Sequence, residues 1–234
     1  MRHFACYGDE RNKGSCVHCG GPDETKDHLP SKVLLDEPLP ANVFVSPACF
    51  SCNNGLAPDE EYVAALVECA LAGDVDPARI GRQKIAKTIA SSVRLAERLR
   101  RARRIENGSP VWDVEQDRLR NVVLKLARGH AAYELNDPKL DEPEVFWVRP
   151  LGTMTAEQIE EFEDRPKPDV VQLGVWPEVG SRMMSRLLIV ENEVFDEGWL
   201  TVQEGRYRYK MNWHAGLDVR IVIREYLACQ IVWG

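Results

Sequence analysis

The sequence predicts an α+β chain in three parts, and three observations carry that expectation. Two CxxC pairs, Cys16 with Cys19 and Cys49 with Cys52, stand near the N-terminus. Through the middle of the chain apolar residues recur at three- and four-residue steps, as they do along a helix with one buried face. From Val145 onward they alternate with polar ones, as in half-buried strands. The parts are 1–72, 78–135 and 144–234, the last of these an antiparallel-sheet domain.

Composition narrows the classes. With 234 residues, 44% of them hydrophobic, the chain can bury a core and is no disordered tail. No apolar run approaches the roughly 20 residues a membrane helix needs, and the opening MRHFACYGDERNKG lacks the apolar centre of a signal peptide. A cytoplasmic protein without a membrane partner is expected. The net charge of −7, taken whole, argues against a nucleic-acid partner, because attraction to phosphate comes from excess Lys and Arg.

The first part begins with the cysteines. Two thiolates separated by two residues can occupy two corners of a tetrahedron, and a second pair closes a four-thiolate shell around Zn2+. Cys16, Cys19, Cys49 and Cys52 are therefore expected to hold a structural zinc, with 29 residues inserted between the knuckles. Cys6, Cys69 and Cys229 are spares; Cys69 falls on a helix face and Cys229 in an alternating strand, so both read as small buried apolar residues. His18, inside the first knuckle, reads as an exposed loop residue and not as a fifth ligand.

Between the knuckles the chain carries Asp27 beside His28, Pro30 two positions later, Asn42 opening the apolar stretch Val43 to Val45, and Asn53 with Asn54 directly after the last cysteine. A four-cysteine staple would fix both ends of this segment and bring Asn53 near Asp27 and His28. A short strand at Val43 to Val45 ends at Pro47, and Pro58-Asp59-Glu60-Glu61 starts an amphipathic helix with Tyr62, Leu66 and Cys69 on one side.

Read in order, Cys16-Val-His-Cys19, Asp27-His28-Leu-Pro30, Asn42, Cys49-Phe-Ser-Cys52 and Asn53 resemble the zinc-stapled HNH endonucleases. The resemblance covers about residues 14 to 62. It implies a ββα-metal finger: a hairpin carrying the histidine, then a helix supplying a metal ligand. It also implies metal-assisted hydrolysis of phosphodiester bonds in DNA, with RNA as the other substrate class. His28 would be the general base, since a neutral imidazole accepts a proton at physiological pH. Asp27 and Asn53, or Asn54 in its place, would hold Mg2+ or Mn2+ through hard oxygen donors. Asn42 would orient the base or pin the loop. Many members have His then Asn after the last cysteine, where this chain has two Asn, and extra residues near Ser46-Pro47 lie between Asn42 and Cys49. Neighbours on a strand point to opposite sides, so Asp27 and His28 need a bent backbone to serve one phosphate.

After a break at Gly73 to Pro77, the periodicity of Ile85, Ile89, Val93, Ala96 and Leu99 predicts one long helix from about Ala78 to Ile105. From Arg82 to Arg104 it carries nine Lys or Arg against Glu97 alone, a local charge of +8. Arg94, Arg98, Arg101 and Arg104 are its candidates for tracking a phosphate backbone; a solvated helix face is the other reading of such a run. Asn107-Gly108-Ser109-Pro110 ends this helix, and a second follows over about Val114 to Leu135, where His130 reads as a packing or capping residue and not a catalytic one.

Strands are expected at Val145 to Val148, Val170 to Trp176, Leu187 to Val190, Trp199 to Gln203 and Tyr207 to Trp213, with a short helix at Thr155 to Phe162 capped by Thr155. In the last segment Val219, Ile221, Ile223, Leu227, Cys229, Ile231 and Trp233 keep one phase, which suggests one long bent strand or two joined by a bulge near Glu225. Trp147, Trp176, Trp199, Trp213 and Trp233 are core candidates. Against the nuclease stands a second class, a zinc-knuckle module that binds nucleic acid or protein without catalysis.

Overall fold

The computed structural model describes residues 12–40, 43–163, 178, 180–184, 198–213 and 216–234. Cys6, Asn42 and the strands expected at Val170 to Trp176 and Leu187 to Val190 lie outside them. The chain divides into two compact units, one made of residues up to Gly55 with those from Leu124 onward, the other of Leu56–Val123. This division cuts across the three segments drawn from sequence.

In the first unit a two-stranded antiparallel hairpin pairs β1 (Thr25–Leu29) with β2 (Phe44–Ala48). A single helical turn and a half, α1 (Phe50–Asn54), follows the second knuckle. Further along the chain lie α5 (Gln116–Leu135), β5 (Val145–Pro150), α6 (Ala156–Glu163), β6 (Trp199–Gln203), β7 (Tyr207–Asn212), β8 (Leu217–Ile223) and β9 (Leu227–Trp233). The five strands form one antiparallel sheet in the order β5-β9-β8-β7-β6. Thr155 caps α6 reciprocally: its Oγ1 accepts from Gln158 N at 3.3 Å, and Gln158 Oε1 accepts from Thr155 N at 3.0 Å.

The last segment is neither one bent strand nor a bulged one. Val219 to Ile223 and Leu227 to Trp233 run antiparallel, with Ile223 opposite Leu227, and the turn between them holds Arg224 at φ 60° and Glu225 at φ 45°. Two consecutive left-handed residues make the tight turn that matches strand twist, but that turn is usually written Asn-Gly. Arg-Glu carries no such signal, and a reversal of the chain keeps the same alternation as a bulge would.

The two faces of the sheet are covered differently. On one, Phe162 of α6 packs against Trp147, Trp199, Val222 and Ala228, and Arg208 lies 4.2 Å from the Trp199 ring while its guanidinium bonds Glu163 at 2.7 and 2.8 Å. On the other, the in-phase residues Val219, Ile221, Ile223, Cys229 and Ile231 are buried along with Tyr207 and Tyr209. There α5 supplies polar partners. His130 Nε2 lies 2.7 Å from the Tyr207 hydroxyl, its ring stacks 3.7 Å from Tyr209, and Tyr209 donates to Glu134 Oε1 at 2.7 Å. His130 therefore packs, as its position in the helix suggested.

The same helix also backs the hairpin. Gly129 faces Leu29 so closely that a Cβ would stand 2.7 Å from Leu29 Cδ1, and Tyr133, one turn on, stacks on Phe44 at 4.2 Å. Lys125, one turn before Gly129, belongs to this stripe because residues four apart share a helix face.

The second unit contains α2 (Ala57–Ala72), α3 (Gln83–Ser91), α4 (Val93–Ala102), a hairpin of β3 (Arg103–Glu106) with β4 (Ser109–Trp112), and the opening turns of α5. Pro58 sits in the first turn of α2, and Gly73, at φ 67°, closes it by donating to Ala70 O and Cys69 O. Every residue from Tyr62 to Cys69 is buried, so the middle of α2 is covered on all sides and not only along the stripe the sequence suggested. Burial pushes the Cys69 thiol up to about 12, which leaves it an inert core residue.

The long basic helix is two helices. The chain leaves the α region at Ser92 (φ −109°, ψ 91°), whose side chain accepts from Leu95 N at 3.3 Å and starts α4 afresh. A serine's preference for capping overrides the apolar period that runs through it. Beyond Ala102 the expected helical residues Arg103 to Ile105 form β3, turned by Asn107 and Gly108, both with positive φ. Asn-Gly is a hairpin signal, and its reading as a mere helix stop missed two strands.

Removing the Tyr209 hydroxyl takes a donor from a carboxylate with no solvent exposure. Tyr209→Phe is expected to lower the unfolding free energy by about 1–3 kcal/mol, measured by urea denaturation.

Candidate metal centre

Two short stretches of chain fold into knuckles because backbone amides point at sulfur. In the first, Gly20 N donates to Cys16 O at 2.8 Å, Cys16 N to Gly21 O at 2.6 Å, and His18 N to Cys16 Sγ at 3.4 Å. In the second, Cys49 caps α1, its Sγ accepting from Cys52 N at 3.3 Å. Glu24, just before β1, accepts from Phe50 N at 2.8 Å, and Val17 N donates to Pro47 O at 3.1 Å, so each knuckle is tied to the hairpin.

The four sulfurs of Cys16, Cys19, Cys49 and Cys52 lie within 4.8 Å of one another, and the Cys19 and Cys49 sulfurs are 3.8 Å apart. A tetrahedron with metal–sulfur bonds of about 2.3 Å has edges of about 3.8 Å, so the cluster has the size and donor type for zinc. Burial pushes the Cys16 and Cys52 thiols up, while the Cys52 N–H holds Cys49 below the usual thiol range. A bound dication would reverse the first effect by neutralising the thiolates.

Next to the first knuckle stands a second group, a carboxylate between two basic side chains. Asp27 is buried, and its Oδ2 takes two contacts: His18 Nε2 at 3.0 Å and Lys125 Nζ at 3.1 Å. The three side chains are 8%, 4% and 3% exposed respectively. His18 is therefore not the exposed loop residue its place in the knuckle suggested; the carboxylate of β1 draws it inward, and Arg128 Nη1 donates to its carbonyl at 3.2 Å. Ser46, the cross-strand partner of Asp27, is buried with its Oγ unpartnered, as is His18 Nδ1.

The remaining candidates fall around the same strand. Asn53, on α1, donates from Nδ2 to Thr25 Oγ1 at 3.0 Å and to Lys26 O at 3.2 Å, so the residue after the last cysteine is bonded onto β1. Asn54 is exposed at the end of α1. His28 is half-buried with Nε2 shielded from solvent. Pairing along β1 is regular from Thr25 to Leu29, so the bend expected at Asp27-His28 is absent and the two side chains leave opposite faces of the hairpin. Asp27 Oδ2 already carries the Lys125 ammonium, and among the described residues the four cysteines are the group whose ligand atoms lie close enough together to hold a metal ion.

The basic candidates belong to the other unit. Arg98 pairs with Glu115 at 2.8 Å, and Arg104 pairs with Asp113 at 2.6 Å and Glu106 at 3.2 Å. Arg94 is exposed, and Arg101, 84% exposed, meets Glu97 only at 3.7 Å.

Two residues at the Asp27 group escaped the sequence reading. Lys125 carried a signal: it interrupts the buried run Val122 to Ala127, and a lysine inside such a run must find a buried counter-charge. His18 carried less, since nothing local distinguishes a knuckle residue that turns inward. No protein-family model, curated protein or solved structure matches the chain.

Purified protein is expected to contain about one equivalent of zinc per chain by elemental analysis, and Cys49→Ser to lose it together with the stability of the hairpin. Folded, zinc-free parent protein would remove the staple.

Proposed function

We propose that this chain is a zinc-stapled endonuclease of the HNH type that hydrolyses phosphodiester bonds of DNA. One observation carries the reading: Asn53, the residue after the fourth cysteine, is hydrogen-bonded onto the strand that holds Asp27 and His28. Hairpin, knuckle and helix thus follow one another in ββα order, with the residue types of metal-assisted hydrolysis on adjoining elements.

In this reading Cys16, Cys19, Cys49 and Cys52 hold Zn2+ and fix the two ends of the hairpin. Asp27 and Asn53 would hold Mg2+ or Mn2+, which supplies positive charge beside the scissile phosphate. His28 takes the proton of the attacking water on a ring nitrogen, and it works from the face of β1 opposite to Asp27. Asn42, outside the described residues, keeps its role as orienting group as a proposal only. Of the four candidates, Arg94 and Arg101, exposed on α4, are left to meet a phosphate backbone; Arg98 and Arg104 are already paired with acids.

A second reading has its own support. The burial of Asp27 against His18 and Lys125, and the shielding of His28 Nε2, favour a zinc-knuckle module that binds nucleic acid without cutting it. Plasmid nicking separates the two. The nuclease reading expects nicking that needs added Mg2+ or Mn2+ and falls by about 100-fold or more in His28→Ala with zinc content unchanged. Binding without nicking would leave the module. For the basic run, Arg94→Glu with Arg101→Glu is expected to weaken DNA binding and to reduce the slope of log K against log salt by about 2; an unchanged slope would return α4 to a solvated face.

A further inference from the structure

We infer that Lys125 is the resident cation of Asp27, and that a divalent ion reaches this carboxylate only in competition with the Lys125 ammonium. The inference rests on the metal-ligand role proposed for Asp27, and on no other part of the nuclease reading.

The geometry behind it is a buried ion pair supplied from far along the chain. Lys125 Nζ is 3.1 Å from Asp27 Oδ2, and neither side chain is more than 8% exposed. Two opposite charges removed from water hold each other strongly, because solvent that would screen them is absent. The stripe Lys125, Gly129 and Tyr133 explains why the ammonium stands there: Gly129 lets the helix close on Leu29, Tyr133 stacks on Phe44, and the lysine one turn earlier falls on the strand at Asp27.

Asp27 is thereby neutralised before any ion arrives. His18 Nε2 and Lys125 Nζ both use Oδ2, so a further cation would use Oδ1 and sit within a few ångströms of the ammonium. Ser46, opposite Asp27 in the hairpin, has a buried, unpartnered Oγ and is the neighbouring oxygen donor for such an ion. A dication and an ammonium on one carboxylate repel, and this repulsion sets the divalent affinity of the site. Lys125 acts here as a positioning residue, since it touches the proposed ligand and not the reacting atoms.

The test titrates Mn2+ into the zinc-loaded full chain and follows the free ion by electron paramagnetic resonance. Lys125→Met keeps the length of the side chain and removes its charge. It is expected to bind Mn2+ about tenfold tighter than the parent or more, Lys125→Arg to bind like the parent, and Asp27→Asn with Lys125→Met to lose the gain. Equal or weaker binding in Lys125→Met overturns the inference, as does a gain that survives in the double variant. If Lys125→Met does not fold in zinc alone, because its carboxylate is left without a counter-charge, millimolar Mn2+ should restore the thermal transition there and not in the double variant; failure of that rescue also overturns it. Nicking plays no part in this readout. A gain in a protein that binds DNA without cutting removes the nuclease and keeps the competition, and a nicking parent with no gain does the reverse.

Discussion

A carboxylate with almost no access to water must be given its positive partner by the fold, and at Asp27 that requirement joins three pieces of chain. The ammonium comes from α5, the imidazole from the first knuckle, and the carboxylate from β1. Breaking one partner away would leave a charge buried without compensation, which costs far more than an exposed pair contributes. The knuckle, the hairpin and the helix are consequently held in one arrangement, and His18, by donating its backbone N–H to Cys16 and its ring to Asp27, links the thiolate cluster to the strand.

The helix α5 does this while serving a second surface. Lys125, Gly129 and Tyr133 meet the hairpin, and His130 and Glu134 meet Tyr207 and Tyr209 of the sheet. Such a helix cannot be amphipathic in the simple sense, since from Leu124 both flanks are buried. Its polar residues are therefore satisfied in place: hydroxyls answer the imidazole and the carboxylate on one side, and a carboxylate answers the ammonium on the other.

The proposed chemistry draws its support and its tension from this arrangement. Asn53, directly after the second knuckle, is hydrogen-bonded to Thr25 of β1. The strand, however, is regular, so Asp27 turns inward to the ion pair while His28 leaves by the opposite face. Of the site residues, the closeness of the four cysteines was legible from spacing alone, because two residues between thiols force a local knuckle. The inward turn of His18 and the pairing with Lys125 were not, because they depend on where a helix about a hundred residues away crosses the hairpin.

The same division runs through the fold. Helix and strand type followed from periodicity in α5, α6, β5, β7 and the paired strands β8 and β9, and the alternation from Val219 to Trp233 marked the buried face correctly. Chain reversals were legible only where turn chemistry marked them. Arg224-Glu225 turns without glycine, and Ser92 breaks a helix whose apolar period continues through it, because pairing with neighbouring strands and a side-chain cap outweigh local preference. Local pattern thus accounts for most of the helices and the strands of the large sheet, and for the closeness of the four cysteines. Which buried charges meet and which face of β1 each candidate occupies are long-range outcomes, set by packing that no window of sequence contains.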